Sequence, residues 1–461
     1  MATASPAQMS GKTLQDPELK QHLQRLRRTD NLTNWWYLVR TYLFLTLMIG
    51  GAFSFDLWRQ EQGITWLASL PVFILAIVCI GAGQHQLSGL AHEGVHHILF
   101  QNRLLNEFVS DWFCLFPLFS STHHYRLQHL AHHQFVNDPD RDPDVSQLKT
   151  SGHWLSFPID RAGFLRSMYR QLLLLPLARF ILVRAKYNAT GTDKNPYLKK
   201  GVKLSKTGVR VGLLYLVSLF ASLTWGVVAD NAWILSVIPC VLFVLATGVF
   251  LLLPETAFHQ SRLHPVISLR KMTLLRITYI TILFMSLAWF THLTGIPAWA
   301  YYLLLWVVPI FTSFSFFMIL RQWVQHGNGD RGWLTNTRIF YVDSLLNFAV
   351  FPMGQDFHLP HHVYATVPHY RLKELHEILL DYSEYREQAV EVHGYFHSPE
   401  RPKVHPTVID VLGPDYSGHH HPIHLDHTVL DDCEVDEKDS IVSDGERAAA
   451  TIISQQSATA S

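Results

Sequence analysis

Cysteine is scarce in this chain. The four copies in 461 residues, Cys79, Cys114, Cys240 and Cys433, lie far apart and make no CxxC pair. That argues against a disulfide framework and against a thiolate zinc site. Charge is scarce as well, at 16% of residues, and neither sign dominates, with 37 Lys+Arg against 37 Asp+Glu. A nucleic-acid partner, which calls for a basic excess, is therefore not expected. The N-terminal residues have no signal-peptide shape, and no repeat of solenoid length is visible. The charge that is present avoids whole stretches: residues 63–83 and 277–320 hold no Lys, Arg, Asp or Glu.

Apolar residues make up 48% of the chain and aromatics 13%, which is ample for a core and excludes general disorder. The apolar residues are gathered into six blocks: 35–55, 63–83, 211–229, 232–254, and two within 277–320 parted by Thr294, Gly295 and Pro297. Each approaches the ~20 residues a helix needs to cross a bilayer. Very short polar turns between them favour three membrane hairpins over the buried helices of a soluble protein. Lys12, Lys20, Arg25, Arg27 and Arg28 precede the first block, whereas the three short turns hold only Arg59. The positive-inside bias then puts both termini and the long loops in the cytoplasm. Arg25, Arg27 and Arg28, on a short helix, are expected against anionic headgroups. Residues 112–119 are too short to span. Residues 164–183, interrupted by Arg166, Arg170, Pro176 and Arg179, read as an interfacial helix. The expected organisation is a polar segment 1–31, a membrane domain 32–400, and a disordered tail 401–461 with a His cluster (His419–His421, His424, His427) and an acidic run at 431–437.

Histidine, at 28 copies, is the unusual count. Three clusters stand out: His92-Glu93-Gly94-Val95-His96-His97, His129-Leu130-Ala131-His132-His133, and His358-Leu359-Pro360-His361-His362. The last two share the pattern HxxHH. On a helix, positions i, i+3 and i+4 share a face, so three imidazoles are expected to converge on one point. His92 and His96 share a face in the first cluster, and His97 lies off it, toward a second point. All three clusters, and His326 just past the sixth block, fall on the expected cytoplasmic side: the first follows the second block, the second lies in the long loop, and the third follows the sixth block. Neutral imidazole suits Zn, Cu, Fe and Ni. Ten such ligands exceed the four of a closed zinc site and call for two metals. The expected ligands are His92, His96, His97, His129, His132, His133, His326, His358, His361 and His362, with Glu93, Asp138, Asp140 and Asp356 as carboxylates able to orient them. His22, His153, His264 and His405 read as surface residues, His259 and His292 as interfacial, while His85, His123 and His124 stay open, beside the clusters.

Two other readings of these residues compete. His92-Glu93-Gly94-Val95-His96 matches HExxH, the zinc-protease pattern with Glu as general base, but a one-zinc protease leaves both HxxHH clusters without a task. A metal transporter would hold its ligands near the bilayer midplane, within the spans rather than at their ends.

The three clusters, with His326 upstream of the third and the run His361-His362-Val363-Tyr364 to Pro368-His369-Tyr370 and Leu375-His376 after it, resemble the membrane fatty acid desaturase family over roughly residues 60–385. The resemblance implies an all-α, multi-pass bundle whose cytosolic cap holds two non-haem irons. It implies O2-dependent insertion of a double bond into an acyl lipid or acyl thioester. Gln322, one helical turn before His326, is then a candidate to hold a metal-bound water. Carotenoid hydroxylases and ketolases and alkane hydroxylases use related boxes and are the alternative. His358 stands where front-end desaturases often carry Gln, which disfavours that subclass. Without an HPGG haem signature, electrons are expected from a separate ferredoxin or cytochrome b5.

Overall fold

A computed structural model describes residues 12–190, 195–199 and 205–416. Short helix α1 (Pro17–Leu26) leads into α2 (Thr33–Glu61) and α3 (Ser69–Val95). Six segments are long and apolar enough to cross a membrane: Thr33–Glu61, Trp66–Val95, Thr207–Val228, Ala232–Leu252, Leu269–Thr294 and Ala298–His326. Between the second and third lie α4 (Arg103–Val109), α5 (Thr122–Gln134), α6 (Pro143–Ser151), α7 (Arg161–Arg170) and α8 (Leu175–Thr190). The third to fifth spans are α9 (Thr207–Val228), α10 (Ala232–Leu252) and α11 (Leu269–Thr294).

 The sixth span breaks its α-helical hydrogen bonding at Leu303–Val307 and Ile310–Phe314, both π-turns, between α12 (Ala298–Tyr302) and α13 (Ser315–His326).

Local sequence sets the span ends. The Asn231 side chain caps α10 by accepting from the Ile234 N–H. Gly295, at φ +72, closes α11 in the left-handed conformation that costs glycine little, and Pro297 follows to restart the chain. The first two pairs of spans are hairpins, α2 on α3 and α9 on α10. The fifth and sixth spans adjoin at their tip and then part: α11 packs on α9 and α10, while the sixth span packs on α3. Gly81 lets α3 and the sixth span approach closely, since a Cβ there would collide with Ser313 and the Phe314 N–H. Residues 164–183 are two helices, α7 and α8, with exposed Leu172, Leu173, Leu174 and Leu175 at their junction, the apolar edge expected of an interfacial segment. Residues 112–119 form a π-turn and a 3₁₀ turn leading into α5.

The cap beyond the spans is built from α14 (Ser344–Val350), α15 (His358–Val363), α16 (Leu372–Leu379), α17 (Ser383–Gln388) and α18 (Val408–Leu412). Two three-residue strands, β1 (Ile339–Tyr341) and β2 (Glu391–His393), run parallel within it. Both ends of the described residues join it. Leu19, Leu23 and Leu26 of α1 are buried with Leu372, Leu375 and Leu379 of α16, and Arg25 pairs with Glu374 at 2.6 Å. The amphipathic face of residues 17–26 thus finds a protein partner. Part of 401–416, grouped above with the tail, is packed as well: Thr407 and Asp410 form a capping box, and Val408, Val411 and Leu412 are buried in the same cluster as Trp323. The tail histidines and the 431–437 run lie outside the described residues.

Candidate metal centre

Helix α3 is longer than its apolar block. It runs on past residue 83 to Val95, so His92 and Glu93 ride on its buried end. Arg126 of α5 fixes that end: its Nε donates to the Val95 carbonyl at 2.8 Å and an Nη to the Gly94 carbonyl at 2.9 Å. The same guanidinium pairs with buried Glu107 at 2.8 and 3.0 Å. First and second clusters are thereby locked together. The third cluster is placed by β1, whose Ile339 bridges Phe357 just before His358. Pro360 falls in the first turn of α15, where its missing N–H costs nothing.

Nine of the ten expected imidazoles gather in two groups. His92, His96, His129, His133 and His361 form one; His132, His326, His358 and His362 form the other. Within each group one ligand atom per residue lies within 4.8 Å of every other. Each HxxHH cluster is divided rather than convergent. His129 and His133 serve the first group and His132 the second; His358 and His362 serve the second and His361 the first. The reason is angular. Positions i+3 and i+4 flank i on opposite sides, ~100° apart, so they aim at different points. The two groups lie side by side, with the His133 and His362 rings stacked at 4.2 Å.

The donor set fits metal ions. Nε2 faces Nε2 at 2.9 Å for His96–His129 and His129–His133, 3.1 Å for His133–His361, 3.0 Å for His326–His358 and 3.1 Å for His358–His362. Unprotonated nitrogens facing each other repel, whereas ~2.1 Å metal–nitrogen bonds set neighbouring donors about 3 Å apart. Burial, reinforced by neighbouring imidazoles, holds His129, His133, His358 and His362 well below the usual histidine range, and His361 falls to about 3. Such rings stay neutral and able to ligate. His132 differs. Burial opposes its charge, but the carboxylates of Asp142 and Asp144 outweigh burial and raise it to about 9.

His97 stands apart from both groups. It takes φ +59 just after α3 ends, and its Nδ1 lies 3.5 Å from Arg126. The expected place of His97 off the common face agrees with this, but the ligand role expected for it has no supporting neighbour here, since it joins neither group. Among the carboxylates, Asp142 reaches a gathered histidine, 3.0 Å from His132 Nδ1. Asp138 instead pairs with Arg141 and Arg331, Asp356 accepts from Asn347, and Asp140 is exposed. Asp142 is also the cap of α6, accepting from the Asp144 N–H, and its place before Pro143 is the sequence signal that could have singled it out. Glu93 Oε2 accepts from the His369 N–H at 2.8 Å, and its Oε1 lies 3.6 Å from His92 Nδ1. Gln322 lines the cleft beside His326, and its Oε1 is buried without a hydrogen-bond partner. Gln355, missed in the sequence, donates to His92 at 3.2 Å. His153 is buried between Ser151 and Gln171 rather than exposed.

A cleft lined by five of these histidines also holds Tyr125, Arg184, Asn188 and Arg321. Asn188 also lines a neighbouring cavity of about 290 Å³ walled by Phe116, Leu216, Phe250, Met272 and Ile280.

The fatty acid desaturase family model matches residues 64–273 and 241–395, which together take in all three histidine clusters and more than half of the chain. A dihydrorhizobitoxine desaturase from Bradyrhizobium elkanii is 27% identical over 148 residues, 32% of this chain and 38% of that protein. A Delta 8-(E)-sphingolipid desaturase from Candida albicans is 27% identical over 120 residues, 23% of this chain and 20% of that protein. The chain thus spans well under half the length of either relative.

Proposed function

The chain belongs to the fatty acid desaturase family, and from that premise we propose that it is a multi-pass membrane enzyme that places a double bond in the acyl chain of a lipid or thioester. The observation that carries this is the pair of adjoining all-nitrogen groups at the buried ends of the spans. Two metals of the kind imidazole favours fit those groups, and we take them to be iron because the reaction needs a redox metal. When bound, two irons supply the O2-derived oxidant that an unactivated C–H bond requires. In the overall reaction, two hydrogens leave neighbouring methylenes, and with two electrons and two protons from an external donor O2 is reduced to two waters. A separate ferredoxin or cytochrome b5 is the donor this reading calls for.

The protein's own part is to hold and align. The apolar cavity suits an alkyl chain. Asn188, common to cavity and cleft, marks where such a chain would pass toward the histidines. Asp142 orients His132, and Gln322 offers its unpartnered oxygen beside His326. Expression in a host lacking the activity, followed by lipid profiling, is expected to show a new O2-dependent double bond. A new hydroxyl would instead favour the hydroxylase or ketolase alternative, and an unchanged lipid profile would sink the proposal.

Orientation is part of the same proposal: termini and histidines in the cytoplasm, short turns outside. Exposed positions test it. In a background whose native cysteines are replaced, Lys149→Cys on α6 should react with an impermeant thiol reagent only from the cytoplasmic side, and Glu61→Cys only from the other. Labelling of Lys149→Cys from outside would invert the topology.

A further inference from the structure

Glu391 and His393 alternate on β2 and so project to one face of the strand. The chain returns beside them, with the His393 N–H donating to the Pro406 carbonyl at 2.8 Å, and brings His405 alongside. The His393 and His405 rings stack at 4.1 Å, 13° from parallel. His405, read from sequence as an ordinary surface residue, is therefore one of a cluster.

Its hydrogen bonding is unusual. One oxygen of Glu400, Oε1, lies 3.1 Å from His393 Nδ1 and 2.6 Å from His405 Nδ1. A carboxylate can only accept, so a neutral His405 ring bonded to it carries its hydrogen on Nδ1 and presents a lone pair at Nε2, and a neutral His393 ring that donates from Nδ1 toward the same oxygen does likewise. The two Nε2 atoms face Glu391 Oε2, at 3.6 Å from His393 and 3.9 Å from His405. With the rings in that state three acceptors converge. The gaps exceed hydrogen-bond length and approach the ~3.4 Å edge of a tetrahedron with ~2.1 Å metal bonds. His393 Nε2 is buried with no hydrogen-bond partner. The second oxygen of Glu391, Oε1, is held 3.2 Å from His376 Nε2.

We propose that Glu391, His393 and His405 bind a divalent cation of the zinc type, with Glu400 as the carboxylate that orients both imidazoles. Two nitrogens and one oxygen leave a fourth position to water, on a partly exposed face. This site shares no ligand with the nine-histidine centre and does not depend on the desaturase reading. Its effect is that of a clip. It ties β2 to the returning segment at 405, while β1, the partner of β2, bridges the residue before His358.

The full-length protein in detergent, iron-loaded, is equilibrated with zinc buffered at micromolar free concentration, and bound zinc is measured. Wild type is expected to hold one more zinc per chain than His393→Gln/His405→Gln, with iron equal in both; histidines elsewhere are common to both proteins and cancel. Glu400→Gln should keep the site but weaken zinc binding by roughly 10–100-fold. If the double variant does not fold, the comparison is made with His405→Gln alone. Equal zinc in wild type and variant would overturn the site and leave the cluster as an ion-pair network of protonated histidines with Glu391 and Glu400.

Discussion

His361→Ala and His132→Ala are each expected to lower activity by more than about 100-fold and to reduce iron from two atoms per chain. The bound exceeds the ~10–100-fold typical of groups that merely orient a ligand. His361 comes from the third cluster yet completes the first group, and His132 comes from the second cluster yet stands in the other. Each removes a donor that no neighbour can replace, because the ring beside it on the helix serves the other group. Glu93→Gln is the contrast. Its amide oxygen can still accept from the His369 N–H, so iron should be retained and activity only modestly reduced. Elemental analysis and turnover of the purified variants check both. Full activity in the two histidine variants with loss in Glu93→Gln would restore the HExxH reading and end the two-metal one.

Arg126→Met is expected to destabilise the fold by about 3–5 kcal/mol, since it leaves Glu107 charged and unpaired in the interior. Side-chain exposures of 3% and 2% for Arg126 and Glu107 place the pair beyond solvent screening. Two carbonyls at the end of α3 lose their donor in the same stroke. The double variant Arg126→Met/Glu107→Met should recover part of the loss, because no buried charge is then left alone. Thermal unfolding in detergent measures the cycle. A single variant as stable as wild type would show that Arg126 does not clamp the two clusters.

The spans were readable because a bilayer imposes a length and excludes charge, both visible in one dimension. The histidine clusters were readable because one residue type recurs at helical spacing. What spacing alone did not settle was which group each ring joins. Positions i, i+3 and i+4 are close enough to count as one face and far enough apart to address two centres, and only the packing of α5 against α15 decides between them. His97 shows the same geometry working the other way: its place off the His92–His96 face was visible, and the chain turns there to leave it outside both groups. Asp142 was hidden among four aspartates in eight residues, where distance from His132 depends on the turn that precedes α6. His153, His405 and residues 401–416 look polar and unpatterned in sequence because their partners, such as Gln171, Glu400 and Trp323, come from distant or irregular segments.

The crossed assignment of the two HxxHH clusters also bears on how the protein is made. Neither group is complete until α15 has been synthesised, since His361 is missing from one and His358 and His362 from the other. A nascent chain carrying only the first two clusters offers four nitrogens to one centre and a single one to its neighbour. On the two-metal reading, the pair of metals is therefore completed late, after the third cluster leaves the ribosome, and a truncated product ending before His358 would lack a complete two-metal centre.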